Sequence, residues 1–174
     1  EDLAGLGTQV QSVREADQQA VRESHFDHSL LNSVRHGGSI PAIWARAQGR
    51  DTRGIGLSWA DEVQLILTRP DSGIRTVKDL KGRRFGLPDW PAAQIDFTRA
   101  QALRGLENAL KLTGLQVGDV EVVNYRYNGT FSDRPVRNVA GTPVSSTRSK
   151  GRRLELTGLL RGEVGAVFLK GASA

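Results

Sequence analysis

The stretch Thr76–Pro88, TVKDLKGRRFGLP, decides the fold class of this chain of 174 residues. Its first five residues have the pattern of a capped helical turn, with Thr76 as N-cap and Asp79 three residues later. A Lys-Gly pair ends the turn, and Arg84–Leu87 then has the composition of a short strand that runs into Pro88. The stretch therefore predicts a turn that leads directly into a strand.

The longest predicted helix follows this strand. It covers Ile95–Leu112 and ends at Gly114 as C-cap. Its apolar side chains recur at helical spacing and form one stripe, made of Ile95, Ala102, Leu103, Leu106, Ala109 and Leu110. Another strand is predicted at Val120–Val123. This order of strand, helix and strand predicts α/β layers with a largely parallel sheet.

The remaining predicted elements flank this core. Two shorter helices are predicted, at Ile40–Ala47 and Leu154–Leu160. Strands are predicted at Val10–Val13, at Val63–Thr68, at Val164–Leu169 and, from apolar alternation, at Ile55, Leu57 and Trp59. Open α/β sheets bind ligands at the carboxyl ends of their strands. We therefore expect three loops to face a shared cleft, namely Glu23–Gly38, Trp59–Glu62 and Pro88–Gln94.

The positive charge of the chain is local. Residues 128–153 carry six basic side chains against Asp133 alone, so they account for the whole net charge of +5. Their lack of periodicity and their Gly, Ser, Thr and Pro content predict a basic flexible loop. We expect no nucleic-acid partner, since Phe131 is the only aromatic residue there. A basic interaction module built on this loop is a weaker alternative.

Composition excludes several classes of protein. The chain has no Cys, so it has no disulfide, thiolate metal site or cysteine nucleophile of its own. No run of about 18 apolar residues predicts a membrane span. No P-loop, dinucleotide fingerprint or Gly-x-Ser-x-Gly motif is present, and we expect no cofactor.

The segment His25–Pro41, HFDHSLLNSVRHGGSIP, is the strongest candidate for a functional site. Arg35 offers a fork of donors suited to a carboxylate, sulfinate or sulfonate. Gly37 and Gly38 let the backbone approach a ligand just before a predicted helix start, where free N–H groups and the helix dipole favour an anion. The alternative is that the two glycines form only a turn and that Arg35 is solvated.

Other candidate residues have weaker support. Trp59 and Trp90 could line a ligand pocket, or they could be packing at the ends of strands. His25 and His28 stand three residues apart, with His36 nearby, but they converge on a metal only if the segment is helical. The segment is not clearly helical from its sequence, so we expect no metal site.

Three stretches resemble solute-binding proteins of ABC importers, of the sulfonate, nitrate and thiamine-precursor group. They are TVKDLKGRRFGLP at 76–88, ALRGLENALKLTGLQVGDVEVVNY at 102–125 and LTGLLRGEVGAVFLKGA at 156–172. The resemblance implies a two-lobe, type II periplasmic-binding fold that is truncated at both ends. Residues 1–71 would form most of lobe one, without its first strand and helix, and residues 72–174 would form part of lobe two.

A second resemblance concerns the segment His25-Phe26 to Arg35-x-Gly37-Gly38-x-Ile40-Pro41. It is similar to the 2'-hydroxybiphenyl-2-sulfinate desulfinases of bacterial desulfurisation. That resemblance implies that His25 and Arg35 act with a cysteine, and that the Gly38 N–H helps to hold a sulfinate. The matching cysteine would lie upstream of Glu1.

The leading interpretation is a solute-binding protein that captures a small, sulfonate-like organic anion and passes it to an ABC permease. Its expected ligand-binding residues are His25, Arg35, Gly37, Gly38, Trp59 and Trp90. Such a protein would be periplasmic, or extracellular and lipid-anchored. The alternative is a cytoplasmic desulfinase-like C–S hydrolase in which His25 and Arg35 are catalytic.

Overall fold

The computed structural model of the chain describes residues 7, 10, 16, 18–59, 61–130 and 153–171. These residues belong to two compact units. Of the described residues, those up to Gly54 form unit 1, and those from Ile55 onward form unit 2. The predicted strand Val10–Val13 and the predicted basic loop 128–153 lie almost entirely outside the described residues. The lobe boundary expected after residue 71 refers to a complete two-lobe fold and stays a prediction.

Unit 1 contains two short helices that pack against each other. Helix α1 spans Gln19–Asp27 and helix α2 spans Ser39–Ala47, which confirms the second helix predicted from the sequence. Phe26 of α1 and Pro41 of α2 are buried. Pro41 lies in the first turn of α2, where a missing N–H breaks no intrahelical hydrogen bond.

Unit 2 is a four-stranded sheet with a helix on each face. The strands lie in the order β1-β4-β2-β3, in which β1 is antiparallel to β4, and β2 is parallel to both β4 and β3. The elements are β1 (Gln64–Thr68), β2 (Arg84–Asp89), α3 (Phe97–Lys111), β3 (Glu121–Arg126), α4 (Leu154–Leu160) and β4 (Ala166–Lys170). The predicted α/β class is therefore confirmed.

Successive residues of β2 face opposite sides of the sheet and contribute to a separate hydrophobic core on each side. Phe85 and Leu87 are fully buried and share a cluster with Leu106 of α3. Gly86 points the other way, and a Cβ built on it would lie 3.1 Å from Val167 and 3.3 Å from the Cβ of Glu155 on α4. Side chains on successive strand residues face opposite sides, so this one strand supports both helices.

Two helical segments begin at residues whose side chains act as N-caps. Thr76 and Asp79 form the predicted capping box on a 3-10 turn, with the Thr76 N–H donating to Asp79 at 2.8 Å. Helix α3 begins at Phe97, two residues after the predicted start, because Asp96 accepts the Arg99 N–H at 2.9 Å and acts as N-cap.

The strand predicted from the alternation of Ile55, Leu57 and Trp59 is absent. These three residues are in irregular structure and are 81%, 95% and 87% exposed. Apolar alternation produces a strand only where a neighbouring strand supplies hydrogen bonds and one face is covered. Neither condition is met within the described residues, and Gly54 and Gly56 weaken the strand preference further.

The sheet is largely parallel, as expected, and its edge strand β1 is the exception. The connection between Thr68 and Arg84 contains only turns and one short 3-10 helix, so it does not cross the sheet. The chain therefore enters β2 at the same end of the sheet at which it left β1, and β1 runs antiparallel to β4, with which it pairs. A parallel neighbour needs a crossover of a dozen or more residues, usually a helix.

Replacement of Gly105 in α3 tests the packing on the sheet. A Cβ there would collide with the Phe168 ring, whose Cζ would lie 2.9 Å away. We expect Gly105→Ala to lower the free energy of unfolding by about 2 kcal/mol in urea titrations, even though Ala favours helix. The control Gly118→Ala adds its methyl group in open space and should change stability by less than about 0.5 kcal/mol. Equal stability of the two variants would contradict this packing.

Candidate functional site

The Arg35 side chain ties the end of α1 to the start of α2. Its Nε donates to the backbone carbonyl of His25, and its Nη1 donates to the carbonyl of Gly38 at 3.3 Å. Its Nη2 lies 3.4 Å from Nε2 of the His25 ring. Four of the six residues predicted to bind the ligand therefore lie together in unit 1, namely His25, Arg35, Gly37 and Gly38. Arg35 is not freely solvated, contrary to the alternative interpretation.

The guanidinium group retains donors for a ligand. A guanidinium carries five N–H groups, and these contacts use three of them, which leaves one on each terminal nitrogen. No carboxylate forms an ion pair with Arg35 in the part of the chain that the structure describes. Burial lowers the pKa of Arg35, yet arginine remains protonated at physiological pH. The site is therefore a half-buried cation that has no ion pair among the described residues.

The Arg35 side chain approaches the backbone of Gly37 closely. A Cβ built on Gly37 would lie 2.9 Å from Cζ of Arg35 and 3.0 Å from Cε1 of His25. Gly38 differs, because a Cβ there would meet no atom within 4 Å. Gly38 is the N-cap of α2 and has an extended backbone, with φ of −63°. Its carbonyl, which the sequence did not single out, is the group that contacts Arg35.

His28 lies next to this cluster at the C-terminus of α1. It adopts the left-handed conformation, with φ of 54°, and its backbone N–H donates to the Ser24 carbonyl at 2.9 Å. Its buried Nε2 has no hydrogen-bond partner among the described residues. Burial, and secondarily the positive charge of Arg35, lower the pKa of His28, while the carboxylate of Asp27 opposes them.

Helix α1 includes His25, so part of the candidate segment is helical, contrary to its sequence-based interpretation. His28 has already left the helix, and the two rings are not held one turn apart on a helical face. In the described part of the chain, no three His, Asp or Glu side chains are grouped as metal ligands.

The two tryptophans predicted to bind ligand lie in unit 2 and have different environments. Trp59 is 87% exposed in irregular structure. Trp90 follows β2 and is buried, and its ring stacks on Tyr127 with centroids 4.4 Å apart and an interplanar angle of 7°. The position of Trp90 is that of a residue packed at the end of a strand. That Trp90 contacts a ligand stays a prediction.

Tyr127 and Glu155 form a polar pair that the sequence did not indicate. The Tyr127 hydroxyl donates to Glu155 at 2.6 Å and accepts the Leu154 N–H at 2.7 Å. Burial and the hydrogen bond to Glu155 raise the pKa of Tyr127 well above its usual value. The pair joins the end of β3 to the start of α4 beside Trp90. The two residues are 28 positions apart, so no local pattern could reveal them.

Comparison with protein-family models identifies the family of the chain. A family model described as NMT1/THI5 like matches residues 37–141, which is more than half of the chain. The chain belongs to the NMT1/THI5-like family. No curated protein matches it, and no solved structure matches it.

Membership in the NMT1/THI5-like family identifies the chain as a solute-binding protein of the ABC-importer type. Such proteins bind a small molecule, interact with a permease and are typically periplasmic or extracellular. Within the described residues, no helix of this NMT1/THI5-like chain has the length and apolar character needed to cross a bilayer.

The matched region covers only part of the candidate site. It begins at Gly37 and includes Gly38, α2 and Trp90, but it does not include His25 or Arg35. The family match therefore says nothing about Arg35 and His25, and the evidence for a site there is the geometry of this NMT1/THI5-like chain alone.

Acidification should destabilise the fold through His28. Since folding lowers its pKa, the unfolded chain takes up a proton below about pH 6.5 that the folded chain resists. The His28 contribution to stability is therefore fully present above that pH and is lost as the pH falls through the folded-state pKa. Urea titrations of His28→Asn, which tolerates the left-handed backbone, should show weaker acid destabilisation than wild type.

His36→Asn is the control for this pH series because His36 is exposed in the same connecting segment. It should keep the acid destabilisation of the wild-type chain. A pH profile of His28→Asn that superimposes on that of the wild type would contradict the assignment to His28.

Proposed function

We propose that this solute-binding protein captures a small organic anion, such as a sulfonate, for an ABC importer. The observation that carries the proposal is the half-buried Arg35 guanidinium, which is held by two backbone carbonyls and has no ion pair among the described residues. Two N–H groups on its terminal nitrogens match two oxygens of one sulfonate or carboxylate.

The neighbouring groups fit the same ligand chemistry. The N-terminus of α2 at Gly38 offers backbone N–H groups and the positive end of a helix dipole. The His25 ring lies beside the guanidinium and supplies a further polar contact. Gly37 leaves room for the Arg35 side chain in this arrangement.

The larger architecture is part of the proposal. In a two-lobe, type II fold, residues 1–71 would contribute most of one lobe and residues 72–174 part of the other. Lobes of this kind would close about a hinge, and Trp59 and Trp90 are the proposed apolar contacts of the ligand. The permease would then receive the anion outside the cytoplasmic membrane, with or without a lipid anchor on the binding protein.

Calorimetric titration with a panel of alkyl and aryl sulfonates tests the ligand class, with the corresponding alcohols as neutral probes. We expect saturable binding of at least one sulfonate and none of the alcohols. Arg35→Gln should weaken that binding about 10- to 100-fold, because it removes charge-assisted hydrogen bonds. Arg50→Gln removes an exposed charge from the same unit and should leave affinity unchanged.

The two glycines provide a second matched pair. Gly37→Ala should displace the Arg35 guanidinium and lower sulfonate affinity, with little effect on stability because a flexible side chain can move away. Gly38→Ala places its methyl group in open space and should bind as the wild type does. Binding that survives both Arg35→Gln and Gly37→Ala would refute an anion site at Arg35.

A second candidate function is hydrolysis of an aryl sulfinate, as in the desulfinases that the segment His25–Pro41 resembles. The contact between the His25 ring and Arg35, at 3.4 Å, favours it, since these are two of the three active-site residues implied by the resemblance. The third is a cysteine, which would have to come from outside these 174 residues. Sulfite release from 2'-hydroxybiphenyl-2-sulfinate by the full-length protein, lost in His25→Ala, would establish this activity, whereas binding without turnover supports transport.

A further inference from the structure

A row of basic side chains lies on the turn that leads into β2 in unit 2. We call Arg75, Lys78, Lys81 and Arg83 the basic strip. All four are exposed, and none of their side chains forms an ion pair or a hydrogen bond within the described residues. Asp79 is the one acidic residue within 75–83, so this short segment carries a net charge of +3.

The local fold presents the strip to solvent in a fixed arrangement. The 3-10 helix Val77–Leu80 packs Val77 and Leu80 against the core of the sheet. Lys78 lies in this helix, and Lys81 is its C-cap, whose backbone N–H donates to the Lys78 carbonyl at 3.3 Å. The Asp79 carboxylate is held by the backbone N–H groups of Arg75 and Thr76, at 3.0 and 2.8 Å, which fixes the turn.

A groove of about 490 Å³ adjoins the strip where β2 begins. Two of its arginines are already paired with lining carboxylates, Arg69 with Asp71 at 3.0 Å and Arg84 with Glu121 at 3.3 Å. Arg83 also lines the groove. Its guanidinium forms no hydrogen bond or ion pair within the described residues, although its charge helps to lower the pKa of Asp79.

The remaining acidic group of the groove is also engaged. Glu163 accepts the Tyr125 hydroxyl at 3.1 Å and lies 3.8 Å from Arg161. Each carboxylate of the groove lining therefore has a cationic partner, and Arg83 is the lining cation without an ion pair in the described part of the chain. Lys78 and Lys81 lie near it along the chain.

We propose that the basic strip and this groove form a docking surface for an acidic loop of a partner protein. One carboxylate of the loop enters the groove and pairs with Arg83, and the flanking carboxylates pair with Lys78, Lys81 and Arg75. A protruding loop can enter the groove that Arg83 lines, whereas a flat lipid surface contacts only its rim. The apolar residues of the segment 75–83, Val77 and Leu80, are not exposed, so the interaction is electrostatic and salt-dependent.

Fluorescence anisotropy with a labelled oligoglutamate peptide tests this surface on the full chain, with an oligoglutamine peptide as the uncharged probe. Oligoglutamate should bind, oligoglutamine should not, and binding should fall steeply between about 0.1 M and 1 M salt. Lys78→Gln/Lys81→Gln should weaken binding about fivefold, and Arg83→Gln should have at least the same effect. Thermal melting of each variant checks that the fold is retained.

Arg104→Gln/Lys111→Gln is the matched control, since it removes two exposed charges from α3 in the same unit. It should change affinity less than twofold. An equal loss in both double variants would overturn the proposal, because it would show a response to net charge alone. Tighter binding to phosphatidylglycerol vesicles than to oligoglutamate, lost on Lys78→Gln/Lys81→Gln, would overturn it in favour of a lipid surface.

Discussion

The packing of unit 2 depends on β2, the strand that has a parallel neighbour on each side. It pairs with β3 along its whole length and with β4 at Phe85 and Gly86. The buried side chains of Phe85 and Leu87 support α3, while the bare backbone of Gly86 lets Val167 and the base of Glu155 approach from the side of α4. A large side chain at Gly86 would separate α4 from the sheet, so the two faces have different requirements at adjacent positions.

Much of this unit could be predicted because its signals are local. The capping box at Thr76 and Asp79, the apolar stripe of α3 and the stop at Gly162 each depend on residues within a few positions of one another. The antiparallel edge strand β1 could not be predicted in the same way. Its direction depends on pairing with β4, which is about 100 residues away in sequence.

The candidate site was also predictable only where its residues form a local pattern in the sequence. The sequence indicated that Arg35, Gly37, Gly38 and His25 share a site, because a guanidinium beside two glycines at a helix start is a local pattern. It did not indicate that backbone carbonyls hold the guanidinium, since such contacts are independent of side-chain identity. Tyr127 and Glu155 escaped prediction for the opposite reason, because their contact joins the end of one strand to a distant helix.

The two cationic features of the chain differ in the physical property that determines selectivity. Arg35 is half-buried, and its orientation is fixed by contacts on three of its nitrogens, so an anion must match the direction of its remaining N–H groups. The basic strip is exposed, and its charges act over about a Debye length with little directional preference. A small ligand that needs recognition by shape therefore fits Arg35, whereas the strip is suited to an extended acidic surface whose charges need only be close together.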